Sequence, residues 1–296
     1  MARIGYDIGG TNLAAGVLDD NNQLIAKTSL PFPRGKGIAA VIETCRTLFD
    51  SLLETASLSA EEITGVGVAV PGSVDPEEGV VIDAHNLGFH HTPLSALLED
   101  ALQKPIALIN DADAAALAEH GVGSLSGTQT SVMITIGTGI GGGVILNGRL
   151  FRGGRGNGTE PGHMVLHNGG RHCTCGVDGC AETYCSATRL AKDGSALGYS
   201  GAKEVIDAAK AGNAQACELF RMFIDDLGSY LASIINLLDP ERIAVGGGVC
   251  GAGEFLLNPL RKDAERKCFF ETCPEIVIAT AGNDAGIIGA CLIAEK

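Results

Sequence analysis

One short stretch of this chain gathers the groups that hold a soft metal ion. His163, Cys173, Cys175 and Cys180 offer three sulfurs and one imidazole within eighteen residues, and Gly176 and Gly179 break up the run. Such a chain can wrap one ion. Three thiolates and a nitrogen suit tetrahedral Zn2+ in a closed, structural site. His167, His172 and Cys185 compete as ligands. A set of buried free thiols fits the same residues, since cysteine is among the most buried types. Glu160 stands three residues before His163, and Glu182 two after Cys180. A metal here would therefore also fix the positions of two carboxylates.

Three glycine clusters offer a different chemistry. Asp7-Ile8-Gly9-Gly10-Thr11 follows a strand-like run. Paired glycines let backbone N–H groups approach an anion, Thr11 adds a hydroxyl, and Asp7 can hold a hydrated Mg2+ beside phosphates. An ordinary glycine hairpin reads the same way. Gly137-Thr138-Gly139-Ile140-Gly141-Gly142 matches the dinucleotide spacing G-x-G-x-x-G, but that reading demands a helix next. A strand-like run follows instead, so the expectation is a phosphate-cradling hairpin at Thr138 and Gly139. Gly246-Gly247-Gly248 follows a strand and precedes a helix. Its bare surface could pass an adenine ring, or it is a plain strand-to-helix turn. Asn110-Asp111 lies at another strand-to-helix junction. Asp111 there could take a proton from a hydroxyl, or it could cap the helix.

The elements that must position these groups read as follows. Segment 3–18 is strand, glycine turn, strand, with a further strand over 24–30; segment 131–150 repeats the plan. Two copies of one unit point to a duplicated α/β architecture. Apolar spacing predicts helices over 38–56, 111–120, 214–238 and 284–295, and one over 92–102 with Thr92 as cap and Pro93 in its first turn. Strand-like runs lie at 63–70, 105–109, 242–246 and 275–280. Boundaries near 115 and 282 divide the chain into a small lobe, 1–115 plus 283–296, and a large lobe, 116–282, that carries the zinc loop.

Composition narrows the classes. The 296 residues are 45% hydrophobic, enough for two lobes with substantial cores. No apolar run is long enough to cross a bilayer. The N-terminus enters a strand at once and leaves no room for a signal peptide, so ten cysteines point to the cytoplasm rather than to a disulfide framework. A net charge of −14 repels phosphate backbones and speaks against nucleic-acid binding. The 42 glycines are about twice average usage.

Asp7-Ile8-Gly9-Gly10-Thr11, Asn110-Asp111-Ala112, Gly137-Thr138-Gly139, Glu160-Pro161-Gly162-His163 and the block from Cys173 to Glu182 occur in one order along the chain. In that order they resemble the ROK family of sugar kinases and repressors, from the first strand to the last helix. The resemblance implies an actin-like, hexokinase-type ATPase fold of two lobes with a duplicated mixed-sheet core and the sugar in the cleft. It implies Asp111 as catalytic base. Asn86, Asn110, Glu160, His163 and Glu182 would contact sugar hydroxyls, with His163 serving zinc as well. Gly9, Gly10, Thr11, Thr138 and Gly139 would hold ATP phosphates, with Mg2+ at Asp7. Gly246, Gly247 and Gly248 would line the adenosine. A homodimer or homotetramer is also implied.

The chain departs from the family pattern at Asp113, where asparagine is common, at Pro161, and in Asn86–His91, which lacks the usual proline and tryptophan. The first change could raise the pKa of Asp111 or simply cap a helix. The expected function is an ATP-dependent hexose kinase acting on the 6-hydroxyl of glucose. N-acetylglucosamine, N-acetylmannosamine, mannose or allose as acceptor and polyphosphate as donor stay open. A sugar-sensing repressor is disfavoured by the acidic surface and by a chain that opens on the first phosphate-loop strand. A catalytically silent sugar binder is disfavoured by Asp7 and Asp111.

Overall fold

The computed structural model describes residues 1–154, 156 and 158–294. The chain forms two compact units. One comprises Met1–Ser126, Leu150–Thr159 and Ala281–Lys296; the other comprises Gly127–Arg149 and Glu160–Thr280.

In the first unit, β1 (Ala2–Ile8), β2 (Asn12–Leu18) and β3 (Leu24–Pro31) form an antiparallel meander. After helix α1 (Ile38–Ala56), β4 (Ile63–Val70) pairs in parallel with β1. A small sheet follows, made of β5 (Ser73–Asp75), β6 (Val80–Ala84) and β7 (Phe89–Thr92). Helix α2 (Leu94–Leu102), β8 (Ile106–Asn110) and α3 (Asp111–Val122) complete the run, and the main sheet reads β3-β2-β1-β4-β8. Alternation explains the strands. Ile4, Tyr6 and Ile8 of β1 are fully buried, as are Leu13, Ala15 and Val17 of β2.

The second unit repeats the order. β9 (Ser131–Ile136) and β10 (Ile140–Leu146) form a hairpin, extended by β11 (Arg149–Leu150). Helices α4 (Glu182–Cys185), α5 (Ala187–Ser195), α6 (Ala202–Lys210) and α7 (Ala214–Leu238) follow. β12 (Arg242–Gly246) joins β9 in parallel, and α8 (Glu254–Lys267) leads to β13 (Glu275–Ile278). The sheet reads β11-β10-β9-β12-β13, the same plan of meander plus parallel strands. The long helix α7 buries Phe223, Leu227, Leu231, Ile234 and Ile235, spaced three and four apart, against this sheet's core.

Helix α9 (Ala285–Ile293) returns to the first unit. It lies so close to β1 and β4 that a Cβ on Gly67 would collide with the Ala290 carbonyl. Strand glycines such as Gly67 therefore serve helix packing. Part of the glycine abundance thus lies in strands and not in turns.

Two further expectations change. Thr92 ends β7, and Pro93 itself takes the cap position of α2 with no side-chain cap bond. Cys268 and Cys273 are joined as a disulfide, where free thiols were expected. The bond closes a loop of adjacent residues and staples no distant elements, so it makes no framework. Among the described residues no helix is long and apolar enough to cross a membrane.

Candidate functional site: a glycine hairpin and a carboxylate in one unit, a braced hairpin and a Cys/His cluster in the other

In the first unit the β1–β2 turn is closed by the Gly9 N–H, which donates to the Asn12 carbonyl at 2.9 Å. Asp7 sits at the end of β1, and the first turn of α9 packs on its carboxylate at Gly286, which has no Cβ to intrude. Burial raises its pKa to about 6, and the charge of Asp111 adds to the rise. Thr11 is exposed at the turn. Gly10 lies against the Asn86 backbone, so the β6–β7 turn carrying Asn86 borders the loop. Asn86 itself is exposed.

The Asn110-Asp111 junction divides two roles that the sequence left tied. Asn110 is the cap. Its Oδ1 accepts from the N–H groups of Ala112 at 2.8 Å and Asp113 at 3.2 Å, while its Nδ2 donates to the Gly72 carbonyl at 2.8 Å. Asp111 is thereby released from capping, apart from one bond that Oδ1 accepts from its neighbour Ala112. Its side chain is exposed, yet partial desolvation by its surroundings raises its pKa, against the opposing effect of these N–H groups and Asn110. Asp113 is not the cause of that rise. It is buried, with Oδ2 toward Gly158, and does not figure among the groups that shift Asp111.

In the second unit the β9–β10 turn holds Thr138, exposed at its tip, and Gly139. A strand and not a helix follows, which rules out a dinucleotide fold for these glycines. Glu182 braces this turn. Its Oε2 accepts from the Ile140 N–H at 3.0 Å and presses on Gly139, where any Cβ would collide. The Ala187 N–H donates to the Gly137 carbonyl at 2.9 Å, so the segment after Cys180 clamps the hairpin twice. No spacing signal could have paired Glu182 with a residue 42 positions away.

The ligand atoms of His163, Cys173, Cys175 and Cys180 lie within 4.8 Å of one another. Cys173 Sγ is 3.7 Å from His163 Nδ1, and Cys175 Sγ is 3.5 Å from Cys180 Sγ. Ligands bonded tetrahedrally to zinc stand roughly that far apart. Burial pushes the Cys180 thiol up to about 12, and a bound cation would offset that cost to its thiolate. Loop geometry supports the set: Cys173 N–H donates to the Val177 carbonyl, and Gly176 turns with φ 91°. The competing side chains are engaged elsewhere. His167 Nε2 meets Asp226 at 2.7 Å, His172 Nδ1 meets Asp178 at 2.8 Å, and Cys185 is fully buried. Glu182 Oε1 lies 3.9 Å from Cys173 Sγ, so one carboxylate spans the cluster and the hairpin. Glu160 is exposed, and its carbonyl accepts from the His163 N–H at 3.1 Å.

Gly246 is buried at the end of β12, while Gly247 and Gly248 are exposed and start a 3-10 turn. Gly248 lines a cavity of about 280 Å3 with Lys203, Ile206, Lys210 and Val249. The first three of these come from α6, an element for which the sequence raised no expectation.

Two mixed sheets of one strand order, each entered through a glycine hairpin, define the actin-like ATPase fold of the hexokinase type. Within it, the chain belongs to the ROK family, whose model matches residues 3–296. It is 35% identical to the glucokinase of Thermotoga maritima, over 99% of this chain and 97% of that one. It is 33% identical to the N-acetylmannosamine kinase of Citrobacter koseri, over 100% and 99%. The ROK hexokinase of Thermus thermophilus matches with a TM-score of 0.86 and 36% identity, over 99% and 98%. A ROK family glucokinase from Streptomyces griseus, in complex with glucose and AMPPNP, matches with 0.83 and 30%, over 99% of each.

Proposed function

We propose that this protein is an ATP-dependent hexose kinase that transfers the γ-phosphoryl group to the 6-hydroxyl of glucose. One observation carries the reading. Asp111 stands exposed at a helix start whose cap is supplied by Asn110, and partial desolvation by the residues around it raises its proton affinity. A carboxylate so placed is suited to take a hydroxyl proton as phosphoryl transfer proceeds. The glucokinase relatives and the glucose-bound ROK structure support glucose as acceptor.

Asn86, Asn110, Asp111, Glu160, His163 and Glu182 hold the sugar hydroxyls. Asn110 keeps one amide N–H beyond its cap and Gly72 bonds for this. His163 turns Nδ1 to the sulfurs and has Nε2 for a hydroxyl. Gly9, Gly10, Thr11, Thr138 and Gly139 donate to ATP phosphates. Asp7 holds the water shell of the Mg2+ that neutralises them. The cavity beside Gly248 takes the adenosine, with Gly246 and Gly247 adjoining it in the chain. Zn2+ bound by His163, Cys173, Cys175 and Cys180 is structural and holds the loop that carries Glu160 and Glu182. The enzyme works in the cytoplasm, where ATP is at hand, as a homodimer or homotetramer.

A second acceptor, N-acetylmannosamine, has its own support in the kinase of Citrobacter koseri. Turnover measured for glucose, mannose, allose and the two N-acetyl sugars, with ATP and with polyphosphate, tests both readings. ADP release only with Mg2+ and glucose is expected. Sugar binding without turnover from any donor would leave a sensor.

A further inference from the structure

The first unit carries a concavity of which the kinase reading uses only Asn86. A bowl of about 850 Å3 opens over Phe32 and Phe89, whose rings meet edge to face with centroids 6.5 Å apart. Arg34, His85, His90 and His91 line it and are exposed. The chain carries 35 acidic residues against 21 Lys and Arg, yet none of the residues lining this bowl is acidic. Asp83, outside the lining, holds the His90 ring through Nδ1 at 3.1 Å. Arg34 Nη2 donates to the Gly10 carbonyl at 2.9 Å, which fixes the guanidinium and uses one of its five N–H groups. Helices α1 and α2 both start at this rim, and neither has an acidic residue in its first turn or a side-chain cap. Their leading N–H groups add positive potential to that of the side chains.

A fixed guanidinium and three imidazoles around an open bowl form a receptor for a doubly charged oxyanion. We propose that the bowl binds a phosphoryl-bearing small molecule. A sugar phosphate and a short inorganic phosphate chain share this chemistry. The bowl touches Asn86 directly and the glycine loop through Arg34, so an anion held there would also slow turnover. Only that consequence rests on the kinase reading; the binding itself does not.

Calorimetry on the full chain decides the matter, with AMPPNP and Mg2+ present to fill the nucleotide site. The probes are inorganic phosphate, glucose 6-phosphate and a short polyphosphate. Wild-type protein should bind at least one of them, and more weakly as salt rises. The double variant Arg34→Gln/His90→Gln should lose roughly tenfold or more in affinity, since charge-assisted bonds are the strong ones. His91→Asn, a milder change that asparagine tolerates at φ 43°, should lose several-fold. Glucose 6-phosphate alone among the binders identifies a sugar phosphate, and polyphosphate alone a chain. Wild-type protein that binds none of the three overturns the proposal. So does full affinity in variants that melt normally. Glucose turnover, assayed separately, shows whether the kinase reading stands independently.

Discussion

Asp111 and Asp7 are the two residues whose environments say most. With Asn110 as the cap, Asp111→Asn leaves the helix start intact and removes only the proton acceptor. Turnover should fall by about 10²–10⁴, the usual contribution of a general base. Sugar affinity should stay within roughly tenfold, because the amide keeps its hydrogen bonds. Steady-state kinetics beside sugar calorimetry check this, and near-normal kcat would return Asp111 to a purely local role. Asp7 is the more costly residue. Its folded pKa of about 6 exceeds the ordinary 3.8, so the native state binds the extra proton between those values. The stability it contributes is complete below the lower value and is lost as pH rises through the upper one. Near pH 7 the buried charge costs on the order of 3 kcal/mol, at 1.36 kcal/mol per pH unit. Asp7→Asn should therefore melt above wild type at pH 7.5, with the gain gone near pH 4, while ATP turnover is lost. Calorimetric melts at both pH values test the sign. A carboxylate that is destabilising when empty is what a cation-binding position would show.

At the scale of elements, the loop from Glu160 to Glu182 joins the proposed metal ligands to the β9–β10 glycine hairpin. Glu182 is the join, since one oxygen meets the Ile140 N–H and the other approaches Cys173. Cys175→Ser replaces a thiolate with a harder, less readily ionised oxygen and should lose zinc. Sugar affinity should drop several-fold with it. Nucleotide affinity should fall less, because the cavity at Gly248 is built from other elements. Metal analysis with calorimetry for both ligands checks the order of effects. A zinc-free wild type with full sugar affinity would make these cysteines ordinary buried thiols. Helix α9 gives a second test. Gly67→Val puts two methyl groups and a Cβ where the Ala290 carbonyl lies. Overpacking against backbone should cost about 2–4 kcal/mol, read as a lower midpoint in denaturant. An unchanged midpoint would mean that the helix shifts freely.

At the scale of the molecule, size in solution is the simplest measurement. Light scattering should give two or four chain masses, and a monomer at working concentration would remove the assembly from the functional account. The whole-chain pattern also shows how far spacing alone reaches. Apolar periodicity places α1 and α7 to the residue, at Ile38–Ala56 and Ala214–Leu238, because a long one-sided stripe has few other ways to be buried. The Cys/His quartet is legible for a similar reason: its members lie in one short loop, and local chain geometry brings them together. Hairpin glycines followed by strand-like runs likewise exclude a dinucleotide fold from the order of residues alone. Tertiary packing decided the rest. That Asn110 and not Asp111 caps α3 depends on where Gly72 lies. That Glu182 braces the hairpin depends on an N–H 42 residues away. That His167 stays out of the Cys/His cluster depends on Asp226, 59 residues away. The basic bowl exists only because residues 32–41 and 85–93 fold against each other. Local pattern carries the period of an element and the reach of a loop; which carboxylate meets which N–H is set by burial of distant segments, and that leaves no period to read.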